Sequence, residues 1–387
     1  MRALALLLAA APVLQRRGYR AVRHSSLLPQ TWVISGGNAT GDHAAAQIAA
    51  ALGLPHHTKP ALAPRLPVPL ARALASLGEL TGVRRTEVLQ FVGDAHKSDL
   101  PRFVVAASKK ALPGLMEVKR LTKGRTTAVY IGLPDVKLAK IDVLVLSRIE
   151  QMVLRRLGPA RANLDNAVGT VLPLSGIVSS APPPPAPPPT VVVCVGSGVE
   201  SAGFRLLSTD MDNLADGLAH IPPSRIRIVL SPDLHPRLRP MVESQLVRRM
   251  VDAAADVEVL DYAQPGQQPP PPLVDVIAAA TQVIATADYV AAVSVAAALR
   301  RPIYIAGEER TRALLRDYYH LLESKNLVRR FYPKGSRYSY MLAPEIRGSG
   351  DVFSAIRDHE PWAAYDAKAD LDNVVEFIRT RYKEKIG

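Results

Sequence analysis

The chain has 387 residues, enough for two domains that each bury a core. Hydrophobic residues make up 48% and charged residues 21%, which excludes a disordered polymer, and the single cysteine excludes an intrachain disulfide or a cysteine-built zinc site. The net charge of +13 favours anionic partners, a phospholipid membrane surface or a nucleotide among them. The lack of zinc-finger spacing, RNP-like strands or a long basic helix speaks against specific nucleic-acid binding.

Residues 1–30 carry Arg2, Arg16, Arg17, Arg20 and Arg23 together with Ser25 and Ser26, and no acid precedes Asp42. This is the composition of a mitochondrial transit peptide. The apolar run over residues 3–14 also outlines a secretory signal, which stands as the alternative, although arginines behind the run and the absence of cysteine pairs weigh against it. The run is too short to span a bilayer.

Residues 31–180 alternate β-branched runs with helical stretches. Strands are expected at WVIS (32–35), RFVVAAS (102–108), TTAVYIGL (126–133) and IDVLVLS (141–147), with the Ala-rich helix HAAAQIAAALGL after the first. Strands alternating with helices imply βαβ units and a parallel sheet covered on both faces. The segment APPPPAPPPT (181–190) cannot form helix or central strand and reads as a semi-rigid interdomain linker. The pattern restarts over residues 191–387. Strands are expected at TVVVCVGSG (190–198), RIRIVLS (225–231), VEVLDY (257–262), QVIAT (282–286) and PIYIAG (302–307), and the chain closes on an amphipathic helix over 371–385. The fold class is α/β, with two doubly wound, Rossmann-like parallel-sheet domains facing across a cleft. Ligands on such sheets bind at the carboxyl ends of the strands.

Two glycine-rich turns follow first strands. Gly36, Gly37 and Gly41 in GGNATGDH let backbone amides approach an anion at a helix N-terminus, while a plain strand-to-helix turn explains the same glycines. Asp42 reads as the cap of the helix, and His43 is a candidate general base. The turn is neither a Walker A loop nor a GxGxxG fingerprint. Gly196, Ser197 and Gly198 form the second turn. Cys194, inside an apolar run, reads as a buried inert thiol.

The segments WVISGGNATGDHAAAQIAAALGL, RFVVAASKKALPGLMEVKRL, AVYIGLPDVKLAKIDVLVLSRIEQM, VVVCVGSG and VIATADYVAAVSVAAALRRPIYIAG are collinear with, and resemble, signatures of the mitochondrial fission proteins of the plant "elongated mitochondria" family. The resemblance implies a two-domain fold like that of GT-B glycosyltransferases and a partner in a dynamin-related GTPase. It further implies that a nucleotide or nucleotide sugar would meet Gly196–Gly198 and a loop containing Thr286, Asp288 and Ser294. In the transferases a Glu beside that Ser binds ribose hydroxyls, and the matching residue here is Val295. The family's Gly-Arg after the second strand is Ser108-Lys109. A valine accepts no hydrogen bond, so the expected function is a non-catalytic adaptor in mitochondrial fission, with no catalytic residue, metal or cofactor. The alternative is a mitochondrial glycosyltransferase.

Overall fold

The computed structural model describes residues 28–61, 100–158, 164–177, 190–198, 204–219, 225–252, 256–262, 270–331 and 362–386. Two parallel sheets account for its strands. The first, in the order β2-β1-β3-β4-β5-β6, contains β1 (Leu28–Ser35), β2 (His56–Pro60), β3 (Pro101–Ala106), β4 (Thr127–Ile131), β5 (Val143–Ser147) and β6 (Ala167–Thr170). The second, in the order β12-β11-β10-β7-β8-β9, contains β7 (Thr190–Val195), β8 (Arg225–Leu230), β9 (Asp256–Asp261), β10 (Gln282–Thr286), β11 (Ile303–Ala306) and β12 (Arg329–Arg330). The strand order reverses between β1 and β3 in one sheet and between β7 and β10 in the other, so each sheet has a crevice at its switch point.

Both faces of the first sheet are buried, as a parallel sheet requires. On one face Val33, Phe103, Val105 and Val129 meet Ala44, Ala45 and Ile48 of α1 (Ala39–Ala51). On the other, Ile34, Val104 and Leu144 meet Leu115 and Val118 of α2 (Leu112–Leu121) and Leu154 of α3 (Arg148–Arg156). In the second domain, α4 (Ser208–Ala219) and α5 pack on each other, α5 running from Arg239–Val242 through a π turn at Glu243–Val247 to Arg248–Asp252. Among the described residues the remaining helices there are α6 (Leu273–Ala278), α7 (Val290–Ala298) and α8 (Ala313–Ser324). The sequence of α7 is apolar all round, and residues 292–298 are all buried, as such a sequence dictates.

The last helix, α9 (Ala367–Ile386), corrects the expected division of the chain. Its place in the sequence groups it with the second domain, yet Leu371, Val374, Val375 and Ile378 are buried on the first sheet beside α1. These side chains, spaced one helical turn apart, cover sheet positions that α1 does not reach. Arg379 donates to the carbonyls of Ala51 and Leu52 at the end of α1, 3.3 Å from each. At its start Asp370 accepts from Val171 N at 2.8 Å and from Tyr365 Oη at 2.7 Å.

The domains also meet directly. Helix α3 packs on α8, Arg156 pairs with Asp317 at 2.8 Å, and Leu172 is part of the second domain's core. The expected boundary at residue 30 falls inside β1, which begins at Leu28. The rest of the expected transit peptide and residues 181–189 of the proline segment lie outside the described residues. Among the described residues, no helix is long and apolar enough to cross a membrane.

Candidate functional site

The carboxyl ends of both sheets face a common cleft with a cavity of about 430 Å³. Asn38, Gly41, Ser108, Gly132 and Glu150 contribute from the first domain, and Ser231, Asp233, Tyr289 and Ala291 from the second. Each switch point holds one of the glycine turns, and each turn carries an internal carboxylate.

At the first turn Asp42 reaches back from α1. Its Oδ2 accepts from Ser35 Oγ at 2.5 Å and from Gly37 N at 3.2 Å, and its Oδ1 accepts from Gly36 N at 3.2 Å. The helix cap is Asn38, whose side chain accepts from Gly41 N at 3.1 Å, so the expected capping role of Asp42 is corrected. Asp42 stands a turn too far into the helix to serve its free amides. Gly36 lies against the end of β3, where an added Cβ would fall 1.7 Å from Ser108 Oγ. Gly37 has φ of +77°, a conformation that favours glycine, while Gly41 sits close against Ala107 and lines the cavity. His43 is exposed and does not line the cavity among the described residues.

The second turn is closed from across the sheet. Asp288, just beyond β10, accepts from Gly198 N at 2.6 Å and from Ser197 Oγ at 3.1 Å on Oδ2. Its Oδ1 accepts from Thr286 Oγ1 at 2.7 Å, and Thr286 Oγ1 in turn accepts from Gly196 N at 2.8 Å. A Cβ on Gly196 would stand 2.4 Å from the Asp288 carboxylate, which is why this position is glycine. The structure therefore gathers Gly196, Ser197, Gly198, Thr286 and Asp288 into one hydrogen-bonded unit. Asp288 does not cap α7, whose N-cap is Tyr289 with no side-chain cap bond.

Ser294 and Val295 do not face the cleft. Ser294 Oγ donates to Val290 O at 2.9 Å within its own helix, and Val295 is buried in the second domain's core. The placement of a ribose-binding position at Val295 is corrected accordingly. A carboxylate there would be an unpaired buried charge. The residues at the start of α7 that line the cavity are Tyr289 and Ala291, and neither carries a carboxylate.

Glu150 is a lining residue that the sequence reading missed, although Ser147-Arg-Ile-Glu150 has capping-box spacing. Ser147 N and Ser147 Oγ each donate to Glu150 Oε2 at 2.7 Å. Burial pushes the Glu150 carboxyl above its ordinary range, against the lowering effect of those bonds. Burial likewise pushes the Tyr130 hydroxyl up to about 12, with Asp135 and Glu150 adding to the rise. Lys109 is exposed and pairs with Asp135 at 3.3 Å. Cys194 is fully buried, and burial raises its thiol far above the usual range, in keeping with an inert role. Among the described residues one trio, Glu308, His320 and Glu323, stands close enough together to share a cation. The Arg330 guanidinium already pairs with both carboxylates, at 2.7 Å for Glu323.

Two Rossmann-like domains opposed across a cleft at their strand ends define a GT-B-like protein. The chain belongs to the mitochondrial fission ELM1 family, whose pattern matches residues 41–348. No curated protein matches the sequence. Among solved structures it is similar to the UDP co-structure of S. aureus MnaA, with 10% identity, a TM-score of 0.47, and coverage of 91% of this chain and 97% of that one. It is also similar to UDP-GlcNAc 2-epimerase from Methanocaldococcus jannaschii, with 10% identity, a TM-score of 0.49, and coverage of 91% and 99%. A third is the glycosyltransferase SnogD from Streptomyces nogalater, with 14% identity, a TM-score of 0.44, and coverage of 93% and 100%. Family membership gives the chain a role related to mitochondrial fission on this fold.

Proposed function

We propose that the chain serves mitochondrial fission by binding, as a non-catalytic adaptor whose partner is a dynamin-related GTPase. The observation that carries this reading is the Asp288 carboxylate seated on the Gly196–Gly198 turn. A donor diphosphate approaching those amides meets a fixed negative charge. Two unit charges about 4 Å apart at an effective dielectric near 20 repel by about 4 kcal/mol. The cavity offsets little of this, since its described lining sets Lys109 against Glu150 and Asp233.

The alternative, a glycosyltransferase with a nucleotide-sugar donor, is favoured by the cavity itself, which lies at the strand ends and has room for a small ligand. Calorimetry separates the two. The adaptor reading expects no saturable heat with UDP or UDP-sugars and saturable binding of a purified dynamin-related GTPase. Micromolar binding of a UDP-sugar with turnover would overthrow it. An adaptor for a cytosolic GTPase works on the outer face of the organelle, whereas a cleaved transit peptide would deliver it to the matrix. Protease protection of intact mitochondria decides between the faces, and a reporter fused to residues 1–40 tests the targeting.

A further inference from the structure

The strands of the first sheet begin at the pole opposite the cleft, and several segments converge there on Asp142. Its Oδ1 pairs with Lys119 Nζ at 2.9 Å and its Oδ2 with Lys385 Nζ at 2.9 Å. Lys119 Nζ also donates to Lys140 O at 2.7 Å, and Lys385 Nζ to Thr126 O at 2.8 Å. The end of α2, the start of β4, the loop before β5 and the end of α9 thus form one surface. Asp142 is matched by two lysines, and the exposed acid Glu384 pairs with Arg381 at 2.9 Å. Around them Arg120, Lys123, Arg125, Lys140 and Lys383 are all exposed. Basic residues in a last helical turn complement the helix dipole, but Lys123, Arg125 and Lys140 lie beyond either helix.

We propose that this pole docks on an anionic phospholipid bilayer. Clustered lysines and arginines bind such surfaces additively as point charges, without shaped pockets. A single-stranded nucleic acid would need exposed rings for base stacking. An aromatic near the pole, Tyr382, instead packs on Phe103 with ring centroids 5.0 Å apart and under the guanidinium of Arg102. Docking through the amino ends of the strands turns the cleft, at their carboxyl ends, towards the aqueous side. The proposal is independent of whether the cleft binds a partner protein or a nucleotide.

The test is co-sedimentation of the full chain with phosphatidylcholine vesicles, with and without phosphatidylserine, over a range of salt. Binding should require phosphatidylserine and weaken with salt. Changing Arg120, Lys123, Lys140 and Lys383 to Gln should cost about fivefold per charge removed, several hundredfold in all. The same positions reversed to Glu should show a larger loss, and thermal melting should show that both variants remain folded. Reversing exposed Arg155, Arg237, Arg248 and Arg316 instead gives the same net charge and should leave binding within a few fold of wild type. Equal loss in that control, undiminished binding by both pole variants, or binding to pure phosphatidylcholine would each overturn the proposal. So would wild-type chain that ignores anionic vesicles but retards RNA in a gel.

Discussion

The two glycine turns occupy equivalent places, each at the switch point of its sheet, yet they are closed in different ways. In the first, Asp42 lies six residues from Gly36 on the helix the turn leads into, and its bond to Gly37 is exposed. The neighbouring strand end contributes no carboxylate, only Ser108 pressed against Gly36 and Ala107 against Gly41. In the second, the carboxylate comes from the neighbouring strand end itself, 90 residues away, and joins two chain segments. The first turn is a local feature that would persist if its neighbour shifted. The second exists only when β7 and β10 are paired. Each crevice's amides thus meet a carboxylate, supplied by the turn's own helix at Asp42 and from across the sheet at Asp288.

Asp288→Ala should have the largest effect. It leaves Gly198 N, Ser197 Oγ and Thr286 Oγ1 without their charged acceptor, a loss of about 2–4 kcal/mol in urea unfolding. Removing the fixed charge should also raise affinity for pyrophosphate, and a variant with unchanged stability and no gain would erase the distinction between the turns.

Gly36→Ala should cost about 1–2 kcal/mol through the clash with Ser108, and Ser108→Gly should restore most of it in the double variant. The matching change Gly196→Ala should cost more, since its obstacle is a carboxylate already bound on both oxygens. Asp42→Ala should cost about 1 kcal/mol or less, being local and part-exposed. A loss as large as that of Asp288→Ala would show that the first turn is not merely local.

The smallest effect concerns Glu150, the carboxyl that the first domain contributes to the cavity wall. Burial raises Glu150 above its ordinary value of 4.5. Below that value it is protonated in both folded and unfolded chains. As pH rises, the unfolded chain ionises first, so Glu150 lowers stability progressively until it ionises in the fold as well. Melting temperatures of Glu150→Gln and wild type should therefore lie closer together at about pH 4 than at about pH 7, with the variant favoured at the higher pH. A gap that narrows as pH rises would contradict this.

The three strands that the periodicity did not signal are β2 (HHTKP), β6 (AVGT) and β12 (RR), and each lies at the edge of its sheet. An edge strand buries less of itself, so its residues need not form an apolar run. The central strands, buried on both faces, write their position into the sequence as Val- and Ile-rich stretches. By the same logic the sequence alone determined two α/β halves, a glycine turn after each first strand and an amphipathic last helix.

Only the tertiary structure decided where that helix docks. Its apolar stripe of Leu371, Val374, Val375 and Ile378 fits any open sheet face, and the open face is on the first domain. The spacing of Ser294 and Val295 likewise put both on one helix, but the packing of α7 turned both inward. The role of Asp288 was decided in the same way. A carboxylate beside a helix start reads locally as a cap, and only the pairing of β10 with β7 brings it onto the amides of Gly198. Hydrogen bonds between residues distant in sequence leave no period and no spacing along the chain, so the contact that closes the cleft's second crevice had to be seen in the fold.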